Sequence, residues 1–176
     1  RTMVDVLTRE EGFTKIAVLA EQTDYCQGFR KAIRTHLKAD GNEDYLVLDE
    51  AFPVDNTDFR SLLQKVRESG AQVLVAIGQS PVTDGFIVRQ AKEIGLSLPV
   101  YSTDTAPGPD FFSTAKDAAE GVKVVMVMED DSRAGYQDFV RRLGSVQSGV
   151  LFSAFGYDGA HVISQAIEKV GYNGTA

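Results

Sequence analysis

The sequence predicts an α/β fold, a doubly wound parallel sheet with helices on both faces in three α/β/α layers. Three observations lead there. Short apolar, β-branched runs alternate with longer stretches whose apolar residues recur at helical spacing. One run, "AQVLVAIG" (71–78), is almost wholly apolar, as a strand buried on both faces must be. Strand and helix alternate at the spacing of right-handed βαβ crossovers, which make neighbouring strands parallel.

The elements follow in order. "KIAVLA" (15–20) is the first strand, and "YCQGFRKAIRTHLKADG" (25–41) the helix after it. In that helix Phe29, Ala32, Ile33 and Leu37 share a face, and Gly41 stands where a C-terminal cap belongs. "DYLVLDEAF" (44–52) is the second strand. Asp58 suits the N-cap of "FRSLLQKVRESG", in which Leu62, Leu63 and Val66 point one way. After "AQVLVAIG", the stretch "SPVTDGFIVRQAKEIG" reads as a helix with Pro81 in its first turn. "LPVYS" and "GVKVVMVM" are strands four and five, separated by "PDFFSTAKDAAE". Beyond "RAGYQDFVRRLG" the alternation stops.

Composition narrows the function. The 176 residues are 43% hydrophobic and 24% charged, which suits one globular domain with a true core. The formal net charge of -7, with lysines and arginines dispersed, argues against nucleic acid, whose phosphate backbone needs clustered positive charge. The longest apolar run falls far short of a bilayer span, and no signal-peptide pattern is present. The chain opens at "RTMVDVL" without an initiator methionine, so an excised or processed piece is expected. A single cysteine, Cys26, makes no internal disulfide.

A doubly wound sheet takes ligands outside the carboxyl ends of its strands, near the point where strand order reverses. The turns to inspect are therefore "EQTDYCQG", "GQSPVTDG" and "STDTAPGP", after strands one, three and four. They carry no chemical engine. Neither the G-x-G-x-x-G of a dinucleotide site nor a P-loop occurs. His36 and His161 lie far apart and read as helix-surface residues, and Cys26 has no basic neighbour to activate it. The acidic run Glu129, Asp130, Asp131 reads as a solvated loop, with a cation site as the sharper alternative. No catalytic residue, metal site or cofactor is expected. Three residues stand out. Tyr25 offers a ring face and one hydroxyl, Ser80 a hydroxyl at a helix start, and Asp104 a carboxylate at the end of strand four. An aromatic face with a carboxylate suits an ammonium group. Each also has a plainer reading: rim packing for Tyr25, an N-cap for Ser80, a turn-forming or capping aspartate for Asp104.

The stretches "KIAVLAEQTDYCQGFRKAI", "FPVDNTDFRSLLQKV", "AQVLVAIGQSPVTDGFIVRQAKEIGLSLPVYSTD", "AAEGVKVV" and "YDGAHVISQAIEKVG" together resemble type I periplasmic solute-binding proteins. The most similar branch is the one for leucine, isoleucine, valine and amide-like ligands, which serves ABC importers. The stretches span most of the chain in the family's order and spacing. The resemblance implies two lobes that close on a ligand, of which residues 1–155 form the second, with "RT" like the crossing segment at its start. Residues 156–176 resemble a helix that returns to the first lobe, so the apolar stripe Val162, Ile163, Ala166, Ile167 and Val170 needs a partner. Without the first lobe that stripe must fold back or pair with another copy, and self-association is the expectation.

By the same resemblance Tyr25 matches a ligand-contacting tyrosine in a D-Y-G-x-G-like turn, and Asp104 an acidic residue that pairs with a ligand's α-ammonium. Ser80 falls near a position that is often aromatic. Cys26 departs from the family glycine, and neither Ser80 nor Pro81 supplies the aromatic ring. The implied function is non-enzymatic capture of a branched-chain amino acid, amide or similar small polar solute. Delivery to an ABC permease would follow, in the periplasm or outside the cell, with a lipoprotein tether as one form. The isolated lobe is expected to bind weakly, since half the contacts and the closure are gone. The alternatives are an extracellular sensing domain of a receptor or regulator and, third, a flavodoxin-like or Rossmann enzyme, against which the missing phosphate loop argues.

Overall fold

A computed structural model describes residues 1–127, 130, 132–144 and 150–172. The chain divides into two compact units, Arg1–Met126 and Val127–Ala176.

The first unit is a five-stranded parallel sheet in the order β2-β1-β3-β4-β5. Its strands are β1 (Ile16–Glu21), β2 (Leu46–Phe52), β3 (Val73–Ile77), β4 (Val100–Thr103) and β5 (Lys123–Val125). Its helices are α1 (Thr2–Asp5), α2 (Asp24–Ala39), α3 (Arg60–Glu68), α4 (Pro81–Glu93) and α5 (Pro109–Ala115). All four strand pairings are parallel. The chain steps outward from β1 to β2 and then crosses back over β1 to reach β3. Strand order therefore reverses between β1 and β3, the switch point at which such sheets take ligands.

Alternation along the central strands sorts the core into two faces. Ile16, Val18 and Ala20 of β1, with Val73, Val75 and Ile77 of β3, pack against Met3, Val4 and Leu7 and against Cys26, Ile33 and Leu37 of α2. The intervening Ala17, Leu19, Leu74 and Ala76 meet Phe59, Leu63 and Val66 beside α3, and Ile87 and Ala91 of α4. Every residue of β1 and β3 is buried, which explains their nearly unbroken apolar runs. At about 1.5–3 kcal/mol for each large aliphatic side chain, these two strands dominate the stability of the sheet. A smaller cluster of Val88, Ala106, Phe111, Ala115 and Ala118 joins α4 to α5.

Several details differ from the expectations. The segment at the start is helical: α1 runs into a π-helical turn over Val6–Glu10 and buries Met3, Val4 and Leu7 under the sheet. Strand β5 spans three residues rather than the eight of "GVKVVMVM"; Met126 and Val127 are exposed, and Met128 lies outside the described residues. "PDFFSTAKDAAE" breaks after Ala115 into a short 3₁₀ turn over Lys116–Ala119, where Lys116 has φ 54°. Asp58 accepts the Arg60 N–H at 3.1 Å, but the N-cap of α3 is Phe59, and Asp58 stands one residue before it. Gly41, at φ 75°, closes α2 by donating its N–H to the Lys38 carbonyl at 3.1 Å.

The second unit holds α6 (Ala134–Leu143) and α7 (Val150–Val170), which touch through Phe139 and Tyr157, ring centroids 5.1 Å apart. Helix α7 starts at Val150, before the expected residue 156. Its stripe is open to solvent, with Val162 66% and Ile163 62% exposed. Glu129 and Asp131 of the acidic run lie outside the described residues; Asp130 is a loop residue bonded to Ser132 and Arg133.

Candidate functional site

The carboxyl ends of β1, β3 and β4 lie side by side. Ala20 pairs with Ile77, and Val75 with Tyr101, in parallel ladders that carry the three strands toward the same edge. The turns that follow these strands consequently share one rim.

The turn after β1 is built by capping. Thr23 is the N-cap of α2 and its hydroxyl oxygen accepts the Cys26 N–H at 3.3 Å. The same hydroxyl donates to Gln79 Oε1 at 2.8 Å, which ties the β1 turn to the β3 turn. The buried Glu21, last residue of β1, accepts the Gln79 N–H at 2.7 Å and adds a second tie. Tyr25 is the second residue of α2, two after the N-cap Thr23, so it lies in the first turn of that helix beside the rim.

Tyr25 and Asp104 meet there. The phenol donates to Asp104 Oδ1 at 2.5 Å, across 79 residues of sequence and over the end of β3. Burial, and next the Asp104 carboxylate, push the phenol up to about 12, so the hydroxyl keeps its proton at any physiological pH. Tyr25 remains 37% exposed, its ring 6.2 Å from that of Phe29. Asp104 is half-buried, and only one of its two oxygens is engaged by the phenol. A carboxylate held by a neutral donor, its second oxygen without a hydrogen bond among the described residues, can take an ammonium or another donor. Its chemistry is recognition.

Ser80 stands on the same rim in its plainer role. It is the N-cap of α4: its hydroxyl accepts the Thr83 N–H at 3.2 Å and lies 3.0 Å from Thr83 Oγ1. Cys26 is buried and its burial pushes the thiol up, as an unreactive thiol requires. His36 lies on α2, half-buried, and His161 is exposed on α7, its ring 4.5 Å from that of Tyr157. Among the described residues no group of His, Cys, Asp and Glu is placed to hold a metal ion.

A second buried acid, like Glu21, escaped the sequence reading. Asp84, in the first turn of α4, is fully buried. Its Oδ1 accepts the Gly78 N–H at 2.8 Å and its Oδ2 the Ser102 hydroxyl at 2.9 Å. Burial pushes its carboxyl up to about 7; the bonds from Ser102 and Gly78 pull the other way, and the charge of Glu21 adds to the rise. An acid in a first helical turn normally reads as a surface partner of the helix dipole, so the sequence offered no sign of its burial. A surface cavity of about 610 Å³ lies at the opposite edge of the sheet, where β4 and β5 begin. Its walls include Leu96, Leu98, Val100 and Val122, with a Lys92–Asp117 ion pair at 2.9 Å, and none of the rim residues reaches it.

The fold is thus a doubly wound α/β sheet with a polar, carboxylate-bearing rim at the carboxyl ends of its strands. The family model described as "Periplasmic binding protein" matches residues 1–176, and the chain belongs to that family. Among relatives, a "Leucine-, isoleucine-, valine-, threonine-, and alanine-binding protein" of Pseudomonas aeruginosa is 25% identical over 159 residues, which is 89% of this chain and 42% of the relative. An "Amino acid binding protein" from the same organism is 33% identical over 119 residues, 68% of this chain and 31% of the relative. Among solved structures, a leucine binding protein, LivK, from Thermotoga maritima superposes with a TM-score of 0.80 at 20% identity, over 97% of this chain and 49% of that one. The chain thus spans under half the length of these proteins, and its fold is that of type I periplasmic binding proteins.

Proposed function

We propose that this chain is the second lobe of a two-lobed solute-binding protein, which captures an amino acid, an amide or a similar small polar solute without catalysis. Residues 1–155 form the lobe, and helix α7, which begins at Val150 and runs on through residues 156–170, supplies the surface that packs on the first lobe. The observation that carries the reading is the Tyr25–Asp104 pair: two polar side chains from distant turns meet on the switch-point rim, with one carboxylate oxygen left over. That oxygen takes the ligand's ammonium group, the Tyr25 ring forms the adjoining wall, and Ser80 borders the site from the β3 turn. Closure of the first lobe over this rim completes the contacts and creates the surface that an ABC permease reads. The relatives' names, which specify leucine, isoleucine, valine, threonine and alanine or simply amino acids, support a ligand with an α-ammonium. Residence in the periplasm or outside the cell follows from the family, and among the described residues no helix is long and apolar enough to cross a membrane.

The test is mass spectrometry of small molecules retained by the protein as its gene encodes it, followed by calorimetric titration with the molecule found. A retained amino acid or amide supports the proposal. A retained nucleotide, flavin or phosphorylated compound would reject it.

A further inference from the structure

Asp84 takes part in a run of hydrogen bonds, from Ser102 through Asp84 and Gly78 to Thr105 and Thr103, that reaches both sides of Asp104. Its carboxylate holds the Gly78 N–H and the Ser102 hydroxyl, at 2.8 and 2.9 Å. The Gly78 carbonyl in turn accepts the Thr105 hydroxyl at 2.7 Å, and Thr105 Oγ1 lies 2.8 Å from Thr103 Oγ1. Both polar groups of the Gly78 backbone are therefore occupied, one by α4 and the other by the turn after β4. Thr103 and Thr105 are the two chain neighbours of Asp104. Gly78, Asp84, Ser102 and Thr103 are all buried, so these bonds form where water competes little. The fit at Gly78 is close: a Cβ there would stand 2.8 Å from Asp84 Oδ1 and 3.0 Å from Thr83 Cβ.

A helix-capping role would not require this arrangement. Ser80 already caps α4, and an exposed acid would serve the helix dipole equally well. A buried carboxylate without a cation is retained at a cost in stability, and what it achieves here is to link the ends of β3 and β4. We propose that Asp84 is a positioning residue for the rim: by holding Gly78 and Ser102 together it sets where Asp104 stands against Tyr25. It touches no ligand itself. The ligand consequence rests on the function proposed above, whereas the effect on the Tyr25–Asp104 contact does not.

Two readouts test it in the protein as its gene encodes it. The first is the NMR resonance of the Tyr25 ζ-carbon, which reports the hydrogen bond of the phenol. Asp84→Ala should move this resonance to the position it takes in Asp104→Ala, because the contact is lost in both. Asp84→Asn should leave it near wild type, since its Oδ1 accepts from Gly78 and its amide donates to Ser102 Oγ. If Asp84→Ala does not fold, Thr105→Val cuts the other arm of the set and should move the resonance in the same direction. A folded Asp84→Ala or Thr105→Val protein with an unmoved Tyr25 resonance overturns the proposal.

The second readout is affinity for L-leucine as the probe. Asp104→Ala should weaken it about 30-fold or more, and Asp84→Ala about tenfold. The double variant should be no weaker than Asp104→Ala, since one residue acts through the other. Multiplying losses would overturn the proposal. If Asp104→Ala leaves the affinity unchanged, the site reading fails; if L-leucine does not bind, the solute is a different one; in both cases the Tyr25 resonance alone decides the role of Asp84.

Discussion

Asp84→Asn should change how stability depends on pH, and the size of the change follows from burial. The carboxyl rises from its ordinary 3.8 to about 7 because the folded protein surrounds it with low-dielectric interior and no cation. A group whose pKa is raised by folding contributes most below its unfolded pKa, and that contribution fades until the pH has passed its folded value. Wild type should thus lose stability relative to Asp84→Asn between about pH 4 and pH 7, and the difference should be flat on either side. A gap of three pH units at about 1.4 kcal/mol per unit gives a relative loss of about 4 kcal/mol across that window. Water entry and relaxation around the acid would reduce the figure, so about 2–4 kcal/mol is the expected reading. Urea unfolding of both proteins followed by circular dichroism at pH 4, 5.5, 7 and 8.5 measures it, and subtracting one curve from the other removes every other titrating group. Parallel curves would show that Asp84 is ionised and comfortable in the fold, and the reasoning from burial would be wrong.

Three further outcomes are expected. Gln90 is 2% exposed, accepts the Phe59 N–H at 2.7 Å and donates to the Thr57 carbonyl at 2.7 Å; Gln90→Leu leaves the Phe59 amide without its partner and should cost about 1–3 kcal/mol in the same urea assay. Gly85→Ala places a Cβ 2.7 Å from Thr114 Cβ and 3.2 Å from the Phe111 carbonyl, so overpacking of about 1–3 kcal/mol should outweigh the gain of about 1 kcal/mol in helix propensity and lower the thermal midpoint. The exposed stripe of α7 should make the isolated chain associate, and Ile163→Glu should return it to a monomer in sedimentation velocity; a wild-type mass that stays monomeric across concentrations would refute this.

The sheet was legible because its central strands announce themselves. In β1 and β3 burial on both faces leaves little but Val, Leu, Ile and Ala, and the helices between them carry their own caps and glycine stops. The edges were harder. β5 continues in sequence as Met126 and Val127, apolar residues that sit exposed after the ladder ends, so hydrophobicity alone overran the strand. Helix α1 was overlooked although Met3, Val4 and Leu7 have helical spacing, because its length falls below what periodicity can register. For the rim, parallel topology was enough to bring Tyr25 and Asp104 to one edge, since turns after neighbouring parallel strands must share it. That the two touch, and that Glu21, Gln79 and Asp84 brace the turns beneath them, depends on side-chain packing that no local pattern encodes. Ser80 carried two readings in the sequence, and its hydroxyl proves to be directed at Thr83.

The most direct measurement is calorimetric titration of the retained ligand into the protein as its gene encodes it, wild type beside Asp104→Ala. An ammonium desolvated against Asp104 predicts a loss of about 2–5 kcal/mol in binding free energy in a variant that stays folded. Equal affinities for the two proteins would contradict the placement of the ligand on this rim.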